Sequence, residues 1–407
     1  MSVQNVQSVP RSGTFSQNLQ KVLRENIREY GMYIALFAIM VIFAITTNGV
    51  FLSSRNLSNL LNQTGYIAVL AVGMTLVIVI RHIDLSVGFL AGFLGAVAAI
   101  ALSRWGLPVY LVIPLVLALG GLAGLITAFP VAQLGIPSFV ASLAGWLIYR
   151  GFLQQVTEGT GTIIISDTAF NAIGNAFIPD IPGLGGVLEG VHKLTLLVGI
   201  LAVVLFIVSE INSCRKKVAY NFEVLPVEIF VLKLIFVSVV VGGITWVLAN
   251  YNGLSWTVVI MLVVVGIYHF ITTQTVLGRH IYAVGGNPDA AQLSGISVKR
   301  IIFMVFGSMG MLSALSGILF ASRLTSASTT AGTLFELDAI AAAYVGGVSA
   351  AGGVGRVTGS IIGALVMTSL INGMNLMGVG ISYQYIVRGA VLAAAVIFDV
   401  YTRRASR

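Results

Sequence analysis

Very few side chains in this 407-residue sequence have the chemistry to hold charge, move a proton or grip a polar ligand. Asp84 is the first, in "RHIDLSVG" (Arg81–Gly88), where Ile83, Leu85 and Val87 surround it between two apolar runs. An ionisable group in such company is costly unless it is paired or faces water. It can also cap the next helix by accepting from backbone N–H groups near Val87 and Gly88. Cap and pathway-lining group are both open readings for Asp84, with Ser86 and Gly88 beside it. Arg81 and His82 read equally well as an ordinary short loop. A second stretch, "FELDAIAAAYVGGVSAAGGVGRVTGS" (Phe335–Ser360), opens with Glu336 and Asp338, where acids suit a helix N-terminus. They are placed at the outer mouth of a pathway. The helix-like part from Glu336 to Ser349 is too short to cross comfortably, and Gly346, Gly347, Gly352, Gly353 and Gly355 would break it. Non-helical backbone inside a membrane is tolerated only where protein buries it or water reaches it, so this stretch points to a cavity. Gly346, Gly347 and Gly363 are equally suited to close packing between helices.

Catalytic chemistry finds no support. Gly353, Gly355 and Gly359 miss the dinucleotide spacing, no G-x-x-x-x-G-K-[ST] occurs, and Gly347, Ser349 and Gly352 miss the nucleophile elbow. His82, His192, His269 and His280 are scattered, and the lone Cys214 has no partner for a disulfide. No catalytic residue, metal ligand or cofactor bound by this chain is expected.

The elements that must position these groups are membrane helices. With 57% hydrophobic and 9% charged residues and a mean hydropathy of +0.98, the chain lacks the polar surface of a soluble domain of this size. Apolar runs of about 17 to 25 residues, enough to cross roughly 30 Å of hydrocarbon, recur throughout and are continuous rather than alternating. Twelve candidates are Met32–Thr47, Tyr66–Ile80, Val87–Leu102, Pro108–Leu134, Phe139–Leu153, Leu194–Glu210, Ile229–Leu248, Ser255–Thr275, Ile301–Ser322, Leu337–Ser349, Val357–Met377 and Tyr383–Val400. The fold class is an all-α integral membrane protein, a polytopic bundle of 10–12 transmembrane helices with broken or half helices.

Positive charge orients the bundle. Lys21, Arg24 and Arg28, then Arg215, Lys216 and Lys217, then Arg279, Lys299 and Arg300, and finally Arg403, Arg404 and Arg407 are separated by even numbers of spans. Both termini are therefore predicted cytoplasmic, with segment 1–31 before and tail 402–407 after a single transmembrane domain over 32–401. The loop 154–193, carrying Glu158, Asp167, Asp180 and Glu189, is predicted outside. The net charge of +8 is spread over loops flanking spans and does not call for nucleic acid. The polar first thirty residues do not read as a cleavable signal peptide.

One loop, 277–300, is richer than a connector. Asn287 suits an N-cap, Pro288 a first turn, Asp289 the positive end, Ala290 and Ala291 the body and Gly295 the stop of a short helix. Ala290, Ala291 and Ser294 leave a slim rod that can lie in a partner's groove. A helix resting on the bilayer would carry a larger apolar face, and only Leu293 and Ile296 are bulky.

Those residues, with "NLSNLLNQ", "AVGMTLVIVIRHIDLSVG", "IPSFVASLAG", "LGRHIYAVGGNPDAAQLSGI", "FELDAIAAAYVGGVSAAGGVGRVTGSIIGALV" and "GAVLAAAVIFDV", resemble the permease of bacterial ATP-binding-cassette sugar importers of the ribose, xylose and galactose class. The resemblance runs from about Arg28 to the C-terminus and is strongest to the multiple-monosaccharide and xylose permeases, which carry two additional helices in the region 194–250. It implies a type II importer-like fold in the inner membrane and a dimer with a second copy of the permease. It also implies a partner ATPase that binds ATP and Mg, and a periplasmic or lipid-anchored sugar-binding protein that delivers a pentose or hexose such as arabinose, xylose or galactose. The resemblance places coupling to the ATPase on Gly278, Arg279, Gly285, Asn287, Pro288, Ala290, Ala291 and Gly295. Pathway or gate candidates are Asp84, Ser86, Gly88, Glu336, Asp338, Gly352, Gly353, Gly355 and Asn372. Arg81 departs from the small residue expected there in relatives. The competing reading is an ion-coupled secondary transporter with Asp84, Asp338 and His82 as its relay.

Overall fold

The computed structural model describes residues 27–405 apart from 160, 183–188, 221, 223 and 225. Lys21, Arg24 and Arg407 of the positive clusters lie outside the described residues. The helices are α1 (Ile27–Thr46), α2 (Ser54–Val79), α3 (Val87–Ser103), α4 (Val109–Leu134), α5 (Ser138–Thr157), α6 (Thr168–Asn175), α7 (Lys193–Ala219) and α8 (Val227–Ala249). They continue as α9 (Trp256–Gln274), α10 (Val276–Gly286), α11 (Pro288–Leu293), α12 (Val298–Leu324), α13 (Phe335–Val345), α14 (Val357–Leu376) and α15 (Ile381–Ala405). Each of the twelve apolar stretches contributes a helix. Among the described residues eight helices are long and apolar enough to cross a membrane, and Gly31–Thr46 and Val87–Ser103 are shorter apolar helices. α13, with 11 residues, rises roughly 16 Å and is a half helix.

The chain divides into two compact units, Met32–Ile178 with Leu254–Arg407, and Met1–Gly31 with Pro179–Gly253. In the larger unit α12 is the central helix, packed on α2, α3 and α4. Its glycines set the approach. Gly310 lies directly on the Gly120 carbonyl of α4, and Gly317 on the Ala91 carbonyl of α3, so that a methyl group at either would overlap backbone. Small residues let membrane helices come close where lipid supplies no hydrophobic drive.

α2 starts twelve residues before the predicted Tyr66, because its first turns are polar and yet buried. Asn56 donates to Asn372 Oδ1 at 2.9 Å, and the Thr64 and Thr368 hydroxyls meet at 2.6 Å. Thr75 bonds Ser360 one level further along. These rungs tie α2 to α14, running in the opposite direction, and they lower the local hydropathy that marks a span. Interhelical hydrogen bonds of this kind hold membrane helices together.

Loop 154–193 is not a plain connector. Thr162–Ile164 forms β1 and pairs antiparallel with β2, Ser326–Ser328, in the register Thr162 to Ser328. Asp167 then caps α6 by accepting from Phe170 N at 2.8 Å. A partner strand whose residues pair 162 to 166 positions away in sequence is invisible to periodicity. In the smaller unit α7 and α8 pack on each other, with Lys233 Nζ 2.9 Å from Glu210.

Candidate functional site

Two interruptions of helix lie in the larger unit, one after α2 and one after α13. The first begins where Arg81, at φ 66°, turns the chain left-handed and ends α2, its N–H bonding Ile78 O at 2.9 Å. Residues 82–85 then run without helix until Ser86 leads into α3. Asp84 is 2% exposed. Its Oδ1 accepts from Ser86 N at 2.9 Å and Ser86 Oγ at 2.6 Å. These bonds close a turn onto Ser86, the residue before α3, and no side chain accepts from the first N–H groups of the helix itself. Ser138 Oγ accepts from Ile83 N at 3.1 Å, so α5 braces the extended segment.

Just past this turn, Gly88 supports Glu336. The Glu336 carboxylate lies on the Gly88 Cα where any side chain would stand, and Oε1 accepts from Trp146 Nε1 of α5 at 3.0 Å. Trp146 is edge-on to Phe89 with centroids 4.8 Å apart, and Arg150 sits over both rings, 5.4 Å from Trp146 and 5.6 Å from Phe89. Asp84, Ser86, Gly88 and Glu336 thus form one neighbourhood around the α3 N-terminus.

Glu336 and Asp338 are each 4% exposed and so are enclosed in this unit rather than placed at an open mouth. The reason is pairing. Asp338 Oδ2 is 3.4 Å from Arg388 Nη1 of α15, the partner a buried carboxylate requires. Oε2 of Glu336 and Oδ1 of Asp338 accept no hydrogen bond from the described residues. Phe335 stacks on Tyr66 of α2 at 5.1 Å, which fixes the start of α13 beside these acids.

The second interruption, Gly346–Arg356, meets the start of the first, at the last residue of α2. Gly353 N donates to Val79 O at 2.8 Å, and Gly352 and Gly353 hold φ of 79° and 71°. Gly355 O accepts from Tyr282 Oη of α10 at 2.6 Å. Gly285 of α10 packs on Val79 O and Gly353 N. Four of the predicted residues, Gly285, Gly352, Gly353 and Gly355, are therefore brought to one point. Asn372 stands apart, in the α2–α14 seam, where Asn56 occupies its carbonyl.

The predicted coupling loop is two helices, not one. α10 precedes the short helix because Thr275 caps it, accepting from Gly278 N at 3.2 Å, while Gly278 abuts the last carbonyls of α9. Asn287 Oδ1 accepts from Ala290 N at 3.1 Å and Pro288 opens α11 as the sequence predicts, and Gly295 terminates it at φ 83°. Arg279, Asn287, Asp289 and Ala290 are exposed, Pro288 is half-buried, and Leu293 is 90% exposed. Ala291 is buried against its own chain, so it positions the rod rather than contributing to its outer face.

Trp146, Arg150 and Arg388 were not among the sequence candidates. A cation in mid-span, such as Arg388 in Tyr383–Val400, is the signal that marks such a residue. Among the described residues no group of three His, Cys, Asp or Glu side chains is placed to hold a metal ion.

Three comparisons bear on this geometry. The family model described as branched-chain amino acid transport system / permease component matches residues 56–396. The chain is 40% identical over 399 residues, 98% of its length and 97% of the relative's, to the xylose transport system permease protein of Escherichia coli K12. It is 36% identical over 376 residues, 92% of its length and 93% of the relative's, to the ribose import permease protein of Haemophilus influenzae. No solved structure matches the chain.

Proposed function

Because the chain belongs to this family of transport permeases, we propose that it is the membrane subunit of an ATP-binding-cassette importer for monosaccharides. It is a multi-pass protein of the inner membrane and a transporter component rather than an enzyme. The observation that carries the proposal is the near full-length similarity to permeases named for xylose and for ribose. Substrates are pentoses or hexoses such as xylose, arabinose and galactose.

In this reading a separate ATPase subunit binds ATP and Mg and hydrolyses the nucleotide. It docks on the outer face of α11, where the exposed Leu293 and the Asn287 cap offer a small, firmly shaped knob. A second copy of the permease completes the pathway, and a periplasmic or lipid-anchored binding protein delivers the sugar. Both termini and the α10–α11 segment face the cytoplasm. ATP-driven movement of the docked helices shifts the balance between inward- and outward-open forms.

Asp84, Ser86, Glu336 and Asp338, with the glycines of the second break, form the polar part of the pathway or its gates. An ion-coupled carrier would need Asp338 free to load and release a proton, and its contact with Arg388 opposes that. The test is uptake of radiolabelled xylose, arabinose and galactose into proteoliposomes holding the permease, with and without ATPase and binding protein. Uptake that requires both partners and ATP is expected, and it is lost in an Asn287→Asp, Gly295→Leu double variant that still inserts. Uptake by the permease alone under a proton gradient would replace this reading with the carrier.

A further inference from the structure

Arg81 stands at the crossing of three segments that the sequence keeps far apart. Its left-handed backbone closes α2. Its Nε donates to Gly285 O at 2.7 Å and its Nη2 to Gly286 O, the last two carbonyls of α10. Such carbonyls have no partner within their own helix, and a guanidinium fork meets two of them at once while its charge suits the negative helix end. The next residue after those carbonyls is Asn287, whose side chain caps α11. The position of α11 is thus set from its N-terminal side by what Arg81 holds.

The third segment is the Gly352–Gly353 turn. A methyl group on Gly352 would fall on the Arg81 side chain, at its Cγ, and within 2.8 Å of Gly285 O and 2.9 Å of Val79 O. The absence of a side chain there leaves the space through which Arg81 passes to α10. Just before the turn, Ala350 N donates to Asp399 Oδ2 of α15 at 3.1 Å, which anchors the loop to the last helix. In the other direction only the segment Arg81 to Ser86, with its Asp84–Ser86 turn, separates this crossing from the α3 N-terminus.

We propose that Arg81 is the joint of the transport cycle: a positioning residue through which displacement of α11 is passed at once to the Asp84 segment and to the Gly352–Gly353 loop. The proposal rests on the reading of α11 as the docking helix. With Arg81 in place, α10 cannot move without carrying both interruptions. Without it, α10 retains Tyr282 to Gly355 O and the Val79 packing but loses the charged link, so nucleotide-driven movement is spent without opening the path.

The test measures ATP hydrolysis and xylose accumulation in the same proteoliposomes, containing permease, ATPase and binding protein, for wild type, Arg81→Lys, Arg81→Gln, Gly352→Ala and the Arg81→Gln, Gly352→Ala double variant. Xylose moved per ATP hydrolysed is expected to fall roughly tenfold or more in Arg81→Gln, the scale of a lost charge-assisted hydrogen bond. Arg81→Lys keeps the charge without the fork and falls between. The double variant is expected to lose no more than the worse single variant, since both changes open one joint. An unchanged ratio in Arg81→Gln, or losses that multiply in the double variant, would overturn the proposal. If Arg81→Gln does not assemble, Arg81→Lys and Gly352→Ala decide the matter by the same ratio. Wild-type accumulation without ATP is a different result and would overturn the importer reading itself.

Discussion

α2 and α8 are both apolar enough to cross a membrane, yet 89% of the most apolar window of α2 is buried in the protein and only 6% of that of α8. Apolar character does not predict which is enclosed, since the buried α2 is the less apolar of the two. What separates them is how many of their small and hydroxyl residues meet a neighbouring helix. α2 carries Asn56, Thr64 and Thr75, each bonded to α14, and α12 carries Gly310 and Gly317 against neighbouring backbone. α8 has Gly242 and Gly243 with nothing near them and exposes Ile235, Phe236 and Val239. Specific packing in the membrane is written in what lets backbones approach, and apolar bulk alone leaves a helix facing outward.

The contrast can be broken most sharply through its ion pairs. Replacing Arg388 by Leu leaves Asp338 buried and unpaired, and costs about 3 kcal/mol or more. Replacing Lys233 by Leu removes a pair whose side chains are 34% and 28% exposed, and costs about 1 kcal/mol or less. Thermal unfolding midpoints of the two variants in detergent should differ accordingly, and equal midpoints would remove the distinction.

Glycines come next. Gly310→Leu forces a side chain into the Gly120 carbonyl and is expected to cost on the order of 3 kcal/mol. Gly242→Leu meets open space and should leave the same midpoint nearly unchanged. A tolerated Gly310→Leu would show that α4 and α12 do not depend on that approach.

A smaller effect is expected at the exposed α11, the proposed docking helix, where packing contributes little and the cap much. Asn287→Ala removes the bond to Ala290 N, worth about 1 kcal/mol, and should weaken capture of the ATPase subunit roughly fivefold while the thermal midpoint hardly moves. Titration of the ATPase subunit against detergent-solubilised permease checks this.

The smallest is at Asp180, before α7. Burial raises its carboxyl, but backbone N–H groups of Leu194, Ile181 and Lys193 and the neighbouring His192 outweigh it and hold the group well below the usual carboxylate range. Asp180 Oδ1 accepts from Leu194 N at 2.9 Å and Oδ2 lies 3.5 Å from Lys193 Nζ. A depressed carboxylate lends stability that is present above its unfolded pKa and lost as pH falls through the folded one. Asp180→Asn should therefore lower the midpoint slightly at neutral pH, with the difference from wild type fading in acid. A difference that grew in acid would reverse the assignment.

Much of the α11 segment is legible because its signals are local. The Asn287 cap, Pro288 and the Gly295 stop act within one turn of each other, and spacing alone specifies them. α10 was missed, since "LGRHIYAVGG" has two terminal glycines and a histidine that blur its start and end. The beginning of α2 was missed for the opposite reason: its polar residues look like a loop until Asn56 and Thr64 meet α14 and Asn62 meets Ser255.

The sequence by itself determined that this is a helical membrane protein of a transport permease family, where most spans lie, and that the short helix at Asn287 is capped. Each of these follows from apolar length, local propensity or extended likeness along the chain. Only the tertiary structure decided that Glu336 rests on Gly88 beside Trp146, that Asp338 is paired with Arg388, and that Arg81 reaches the end of α10. The partners of those contacts stand 50 to 248 positions apart, and no periodic pattern reports a distance that folding alone closes.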